Sequence, residues 1–91
     1  MQTIHKYSLH GTGDTLKIGQ RTRAGVDILS FEFDSNDELC IWARVDTEMP
    51  LVPVRVDVVG TGMEADHTWD MTFLGTKVMG EFVWHVFYKV R

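Results

Sequence analysis

Between residues 52 and 59 the chain alternates without a break. Val52, Val54, Val56 and Val58 fall on one side of an extended backbone, and Pro53, Arg55, Asp57 and Val59 on the other. A helix would scatter these four valines around its circumference, whereas a strand lines them up on one face. The same bias runs through the whole chain. Val, Ile and Thr number 11, 4 and 9 against 3 alanines, and branching at Cβ restricts rotamers in a helix but suits a pleated surface. No window longer than ten residues keeps helical spacing without a Gly, a Pro or a β-branched run breaking it. The expectation is an all-β chain with little or no helix.

Seven stretches read as short strands: 3–10, 16–18, 26–33, 39–45, 52–59, 71–78 and 82–91. In the third, Leu29, Phe31 and Phe33 point one way; in the fourth, Leu39, Ile41, Ala43 and Val45 share a face opposite Cys40, Trp42 and Arg44. The polar cluster Asp34-Ser35-Asn36-Asp37-Glu38 joins these two, and its residue types close tight turns, which predicts a hairpin. Pro53 has no N–H for a ladder, so the start of its strand is expected on a sheet edge or at a bulge. In the last strand Phe82, Trp84, Val86, Tyr88 and Val90 share one face, and Val83, His85, Phe87, Lys89 and Arg91 the other. With apolar groups on both sides, that strand is expected to be central, or covered by a loop or a partner. A single flat sheet would leave half of these aromatics in water, disfavoured by roughly 25 cal/mol per Å². The expected architecture is therefore one domain, 1–91, of about seven mostly antiparallel strands in a small β-sandwich or partly open barrel.

Charge and composition remove several classes of function. Lys and Arg number 9 and Asp and Glu 13, a net charge of −4, which argues against a nucleic-acid partner that must have its phosphates neutralised. One cysteine, Cys40, excludes an internal disulfide and a cysteine-built zinc site. No apolar run approaches the roughly 20 residues of a membrane-spanning helix, and Met1-Gln2-Thr3-Ile4-His5-Lys6 has no apolar stretch behind its charge. A cytoplasmic location is expected, with no membrane association.

The segment from Gly60 to Asp70 is the longest connection between strands, and long loops on a rigid scaffold are where binding sites sit. Gly60, Thr61, Gly62, His67 and Trp69 form the candidate ligand-binding set: glycines for close backbone approach, a ring that donates and accepts, and a flat apolar platform. Gly60-Thr61-Gly62 lacks the Lys-Ser/Thr of a phosphate loop and the third glycine of a dinucleotide fingerprint. His5, His10, His67 and His85 have no local metal-ligand spacing, so no metal or other cofactor is expected. Ser8, Ser30 and Ser35 have no nucleophile elbow around them, and Cys40 lies in an apolar strand where a thiol is inert. The carboxylate pairs Asp46/Glu48 and Asp66/Asp70 read as solvated acids at loop ends. No catalytic residue is assigned, and the chain is expected not to be an enzyme.

Aromatic content points elsewhere. Three Trp, five Phe and two Tyr exceed what so small a core encloses, and exposed rings mark protein interfaces. Trp42, Trp84 and Tyr88 are the candidate interface residues, and a homodimer the expected arrangement. Charge is segregated as well. From Asp27 to Asp70 there are 11 acids and 2 bases, while the flanks hold 7 bases and 2 acids. If the terminal strands lie close together, Lys6, Lys17, Arg21, Arg23, Lys77, Lys89 and Arg91 form a basic face opposite an acidic one.

Several short blocks occur in a characteristic order: Ile4-His5-Lys6-Tyr7-Ser8-Leu9, Ile28-Leu29-Ser30, Ile41-Trp42-Ala43-Arg44-Val45-Asp46, Gly60-Thr61-Gly62, Phe73-Leu74-Gly75-Thr76 and Phe82-Val83-Trp84-His85-Val86-Phe87. In these the chain resembles, over nearly its whole length, a family of small uncharacterised proteins found mainly in bacteriophages and bacterial genomes. It departs from that family at Ser8, often a proline, and at Met63, often a histidine. The resemblance transfers no activity. It implies a setting, an accessory protein of a phage or prophage acting in the host cytoplasm. The combined expectation is a non-catalytic binding module docking onto a host or phage macromolecule. The alternative is a small-ligand-binding domain using the loop from Gly60 to Asp70.

Overall fold

The computed structural model describes residues 1–10 and 13–90 of the chain. Among the described residues the regular structure is seven strands and one short turn of 3-10 helix. The strands are β1 (Gln2–Leu9), β2 (Gly13–Gly19), β3 (Asp27–Phe33), β4 (Leu39–Asp46), β5 (Leu51–Gly60), β6 (Thr72–Met79) and β7 (Phe82–Val90), with the 3-10 turn at Asp66–Thr68 between β5 and β6. They form a three-stranded sheet in the order β1-β4-β3 and a four-stranded sheet in the order β2-β5-β7-β6. Every ladder is antiparallel. The two sheets are not closed into a barrel, and the fold is a small sandwich, one of the two architectures expected from the alternation.

The side-chain period of two fills the space between the sheets. Leu39, Ile41, Ala43 and Val45 of β4 face Val54, Val56 and Val58 of β5 and Val86 of β7, with Leu9, Ile18 and Phe31 completing one buried cluster. The two central strands of the four-stranded sheet therefore carry most of its apolar inner face, and β4 carries that of the other. β7 lies between β5 and β6, the central position that its two apolar faces predict.

The hairpin across 34–38 forms as expected. Asp37 donates to the Asp34 carbonyl at 3.0 Å with a left-handed φ of 61°, and the Asp34 carboxylate accepts the N–H groups of Asn36 and Glu38 at 2.8 and 3.0 Å. Those two backbone donors hold the Asp34 carboxyl below its ordinary range.

Two details differ from the sequence expectation, in β3 and in β2. A bulge between Ile28 and Ser30 shifts the register of β3, so Ile28 packs toward the core with Phe31 and Phe33 while Leu29 turns outward. β5 as a whole is central, but its start agrees with the expectation for Pro53: the described ladder to β7 begins one residue later, at Val54, and among the described residues only β2 lies beside Pro53. β2 runs over seven residues instead of three, held along its length by β5 although only Leu16 and Ile18 signal it.

β1 and β7 lie in different sheets, and the flanking bases do not gather on one face. Lys6 is beside Trp42 on the solvent side of the three-stranded sheet, Lys89 pairs with Asp70 across the other sheet, and Lys77 reaches Glu32 between the two at 3.2 Å. Arg21 and Arg44 both bind Asp27, at 3.2 and 2.9 Å. Arg91 lies outside the described residues.

Candidate functional site

The loop after β5 is docked by its own residues. Met63 donates to the Gly60 carbonyl at 3.0 Å across a turn in which Gly62 takes a φ of +88°. Thr61 donates its backbone N–H to Val83, 3.1 Å, and its hydroxyl shares a 2.7 Å hydrogen bond with Nε2 of His85. The other ring nitrogen of His85 meets the Thr76 hydroxyl at 2.9 Å. Two hydroxyls thus fix the imidazole on the solvent side of the four-stranded sheet. Further along, Thr68 is buried with its hydroxyl donating to the Ala65 carbonyl, which pins the 3-10 turn.

That turn sets His67 above Asp57. Alternation puts Asp57 on the wet side of β5, yet it is only 3% exposed because the loop folds over it. Its carboxylate accepts from Arg55 Nε at 3.1 and 3.3 Å and lies 3.6 Å from His67 Nε2, while Glu64 stands 3.7 Å from His67 Nδ1. A buried charge needs such partners. Gly13 on the neighbouring strand leaves the room: a Cβ there would come within 2.8 Å of Asp57 Oδ1. Around this group is a cleft of about 340 Å³ lined by Gly13, Arg55, Asp57, Met63, Glu64 and His67. Of the candidate ligand set, His67 reaches the cleft, Thr61 instead anchors His85, and Trp69 stands free in solvent at 85% exposure.

The rings are distributed differently from the expected interface. Trp84 and Tyr88 point between the sheets and pack against the core, and Trp42 is half-buried on the solvent side of the three-stranded sheet between Lys6 and Ser30. The exposed rings are Trp69 on the loop, Phe82 stacked on Trp84 at the start of β7, and Phe73 on the solvent side of the other sheet. There Phe73 of β6 packs on Phe87 of β7, centroids 5.4 Å apart, and Val78 stands opposite Val83, with Thr76 and His85 between the two pairs. Phe73 is 56% and Val78 72% exposed. A bulge between Phe73 and Gly75 keeps Phe73, Thr76 and Val78 on this one face. Val83, His85 and Phe87 alternate visibly in the sequence, so this face was legible from β7; its β6 half was hidden by the bulge.

The catalytic candidates do not converge. Cys40 is enclosed, its Sγ 3.9 Å from Ser8 Oγ and from Asp34 Oδ2. Asp46 accepts the Glu48 N–H and lies beside the Met1 ammonium, which together hold its carboxyl below the ordinary range. Asp70 is lowered by Lys89. Among the described residues no three His, Cys, Asp or Glu side chains are grouped to hold a metal ion, and no helix is long and apolar enough to cross a membrane.

At one end of the sandwich, between the 34–38 turn and the β6–β7 turn, the sheets part around an apolar cavity of about 180 Å³. Leu9, Phe33, Leu39, Val58, Met79 and Trp84 form its walls, and Asp37 and Glu38 its lip. The Trp84 indole N–H is buried and has no acceptor among the described residues.

A family described as Domain of unknown function (DUF7352) matches residues 1–91, and the chain belongs to that family. No curated protein and no solved structure matches it.

Proposed function

We propose that this domain is a non-catalytic binding module that docks through the solvent side of β6 and β7, and that its occupant there is a second copy of the same chain. The observation that carries the reading is the Phe73–Phe87 and Val78–Val83 face, apolar and in water on a sheet whose other side already packs the core. Antiparallel sheets with one covered side normally present polar groups on the other, and a contiguous apolar patch marks an interaction surface. A second copy suits it for an electrostatic reason. Phe73, Thr76, Val78, Val83, His85 and Phe87 carry no formal charge with the imidazole neutral, so two chains of net charge −4 can meet there without opposing like charges. The patch is about 17 Å by 10 Å from strand dimensions, well below the roughly 800 Å² per partner of a standard interface, so the dimer is weak. The resemblance to phage and prophage proteins supplies the proposed context, an accessory role in the host cytoplasm.

Light scattering on the wild type from about 10 to 500 μM tests this. Mass is expected to rise toward two chains across that range, and Phe73→Asp to remain a monomer with an unchanged circular dichroism spectrum. A wild-type monomer throughout overturns the proposal.

One observation favours a second reading, a ligand site beneath the loop from Gly60 to Asp70: the cleft over the Arg55–Asp57–His67 group. Inorganic phosphate and calcium are the probes. Saturable perturbation of the Arg55 and His67 side-chain resonances supports it, and unchanged resonances at 20 mM of each oppose it.

A further inference from the structure

The cavity at the end of the sandwich belongs neither to the docking face nor to the loop cleft. We infer that it is a binding site for a small organic cation, one apolar ring or short branched chain carrying an ammonium head. Size, lining and charge each contribute.

Interiors are packed with few voids larger than a water molecule, and an apolar void forfeits dispersion contacts along its walls. Here the gap persists because neither turn supplies a plug. The 34–38 turn is fixed by the Asp34 carboxylate and by the left-handed Asp37, and it brings only the polar Asp37 and Glu38 to the cavity. The β6–β7 turn has Gly80 at a φ of 61°, with nothing within 4 Å of where a Cβ would stand. About 180 Å³ compares with the roughly 150 Å³ cavity that takes up benzene, so the space is large enough for one six-membered ring. Six apolar side chains line it, with the flat Trp84 indole on one wall held by stacking on Phe82 at a 5.7 Å centroid separation.

The lip sets the sign of the head group. Asp37 and Glu38 are the two polar residues bordering the cavity, both acidic. Asp34 behind them is committed to the turn N–H groups, the Glu38 carboxylate is paired with Nδ1 of the exposed His10 ring, and Asp37 has no basic partner among the described residues. An ammonium at the mouth would meet the Asp37 carboxylate and, shared with or displacing His10, that of Glu38, whereas a carboxylate would meet repulsion there.

Three probes of one shape and different charge test the inference: benzylamine, benzyl alcohol and benzoate, titrated into the full chain while the methyls of Leu39 and Val58 and the Trp84 indole N–H are followed by NMR. Benzylamine is expected to shift all three saturably, benzyl alcohol to bind roughly fivefold more weakly, and benzoate to leave them unmoved. Asp37→Asn with Glu38→Gln should bring benzylamine down to the benzyl alcohol level. Met79→Trp, at a half-buried strand end, should fill the mouth and abolish the shifts. No saturable shift with benzylamine, benzoate binding as tightly as benzylamine, or unchanged binding in the folded Met79→Trp variant would each overturn the site. Neither the mass of the protein nor the resonances of Arg55 enter this test, so its failure is separable from that of the docking and loop readings.

Discussion

Gly75 is held to hydrogen by its neighbour across the sandwich. A Cβ there would come within 2.9 Å of Phe31 Cε1, and Phe31 is a buried ring with no room to retreat. Replacing a strand glycine by alanine ordinarily gains about 0.5–1 kcal/mol, but overpacking costs about 1–3 kcal/mol, so the steric effect wins. Gly75→Ala is expected to lose about 1 kcal/mol in urea unfolding. Asp34 acts through charge instead. Its folded carboxyl is lowered by the N–H groups of Glu38 and Asn36, so its contribution is full above the ordinary carboxylate pKa of about 3.9. That contribution is lost as pH falls from there through the lowered folded value. Urea midpoints at pH 7, 4 and 2.5 should fall less steeply for Asp34→Asn than for the wild type. At this scale the sequence was partly legible. His67 could be named from its loop, but Asp57 could not, because alternation assigns it to water and only the fold-back of the loop buries it.

Strands were legible where the alternation is local and lost where a neighbouring strand decides. The runs of β4 and β5 and the 34–38 turn declare themselves, since side-chain period and turn chemistry reside in consecutive residues. Bulges do not. The extra residue in β3 is required by the pairing with β4, and it exchanges Leu29 for Ile28 on the inner face. The exchange has a direct test. Ile28→Ser should cost about 2 kcal/mol by removing a side chain packed against the core, and Leu29→Ser, at a mostly solvated position, under about 0.5 kcal/mol. Equal losses in denaturant titrations would mean that the strand pairs without its bulge. β2 exceeds its sequence signal for the same reason: Thr15 and Lys17 are ordinary solvent-side residues, and the ladder to β5 extends the strand past its two apolar ones.

For the whole molecule, fold class follows from composition and pattern, but strand order does not, because which strand β1 joins is settled by how the two sheets close on one core. The segregation of charge along the chain accordingly disappears in space. The weak dimer proposed above has a thermodynamic signature at this scale. Binding of the native state to its own copy raises the unfolding temperature with concentration, so the wild-type midpoint should climb between about 5 and 500 μM while Phe73→Asp stays level. The arrangement β2-β5-β7-β6 has a consequence of its own for synthesis. β6 has no hydrogen-bonded neighbour except β7, and β5 has one side open until β7 arrives. On a ribosome, then, the larger sheet must wait for β7 to emerge. A nascent chain halted before Phe82 would hold a pairable three-stranded half beside an orphaned strand, the kind of species that chaperones and proteases recognise.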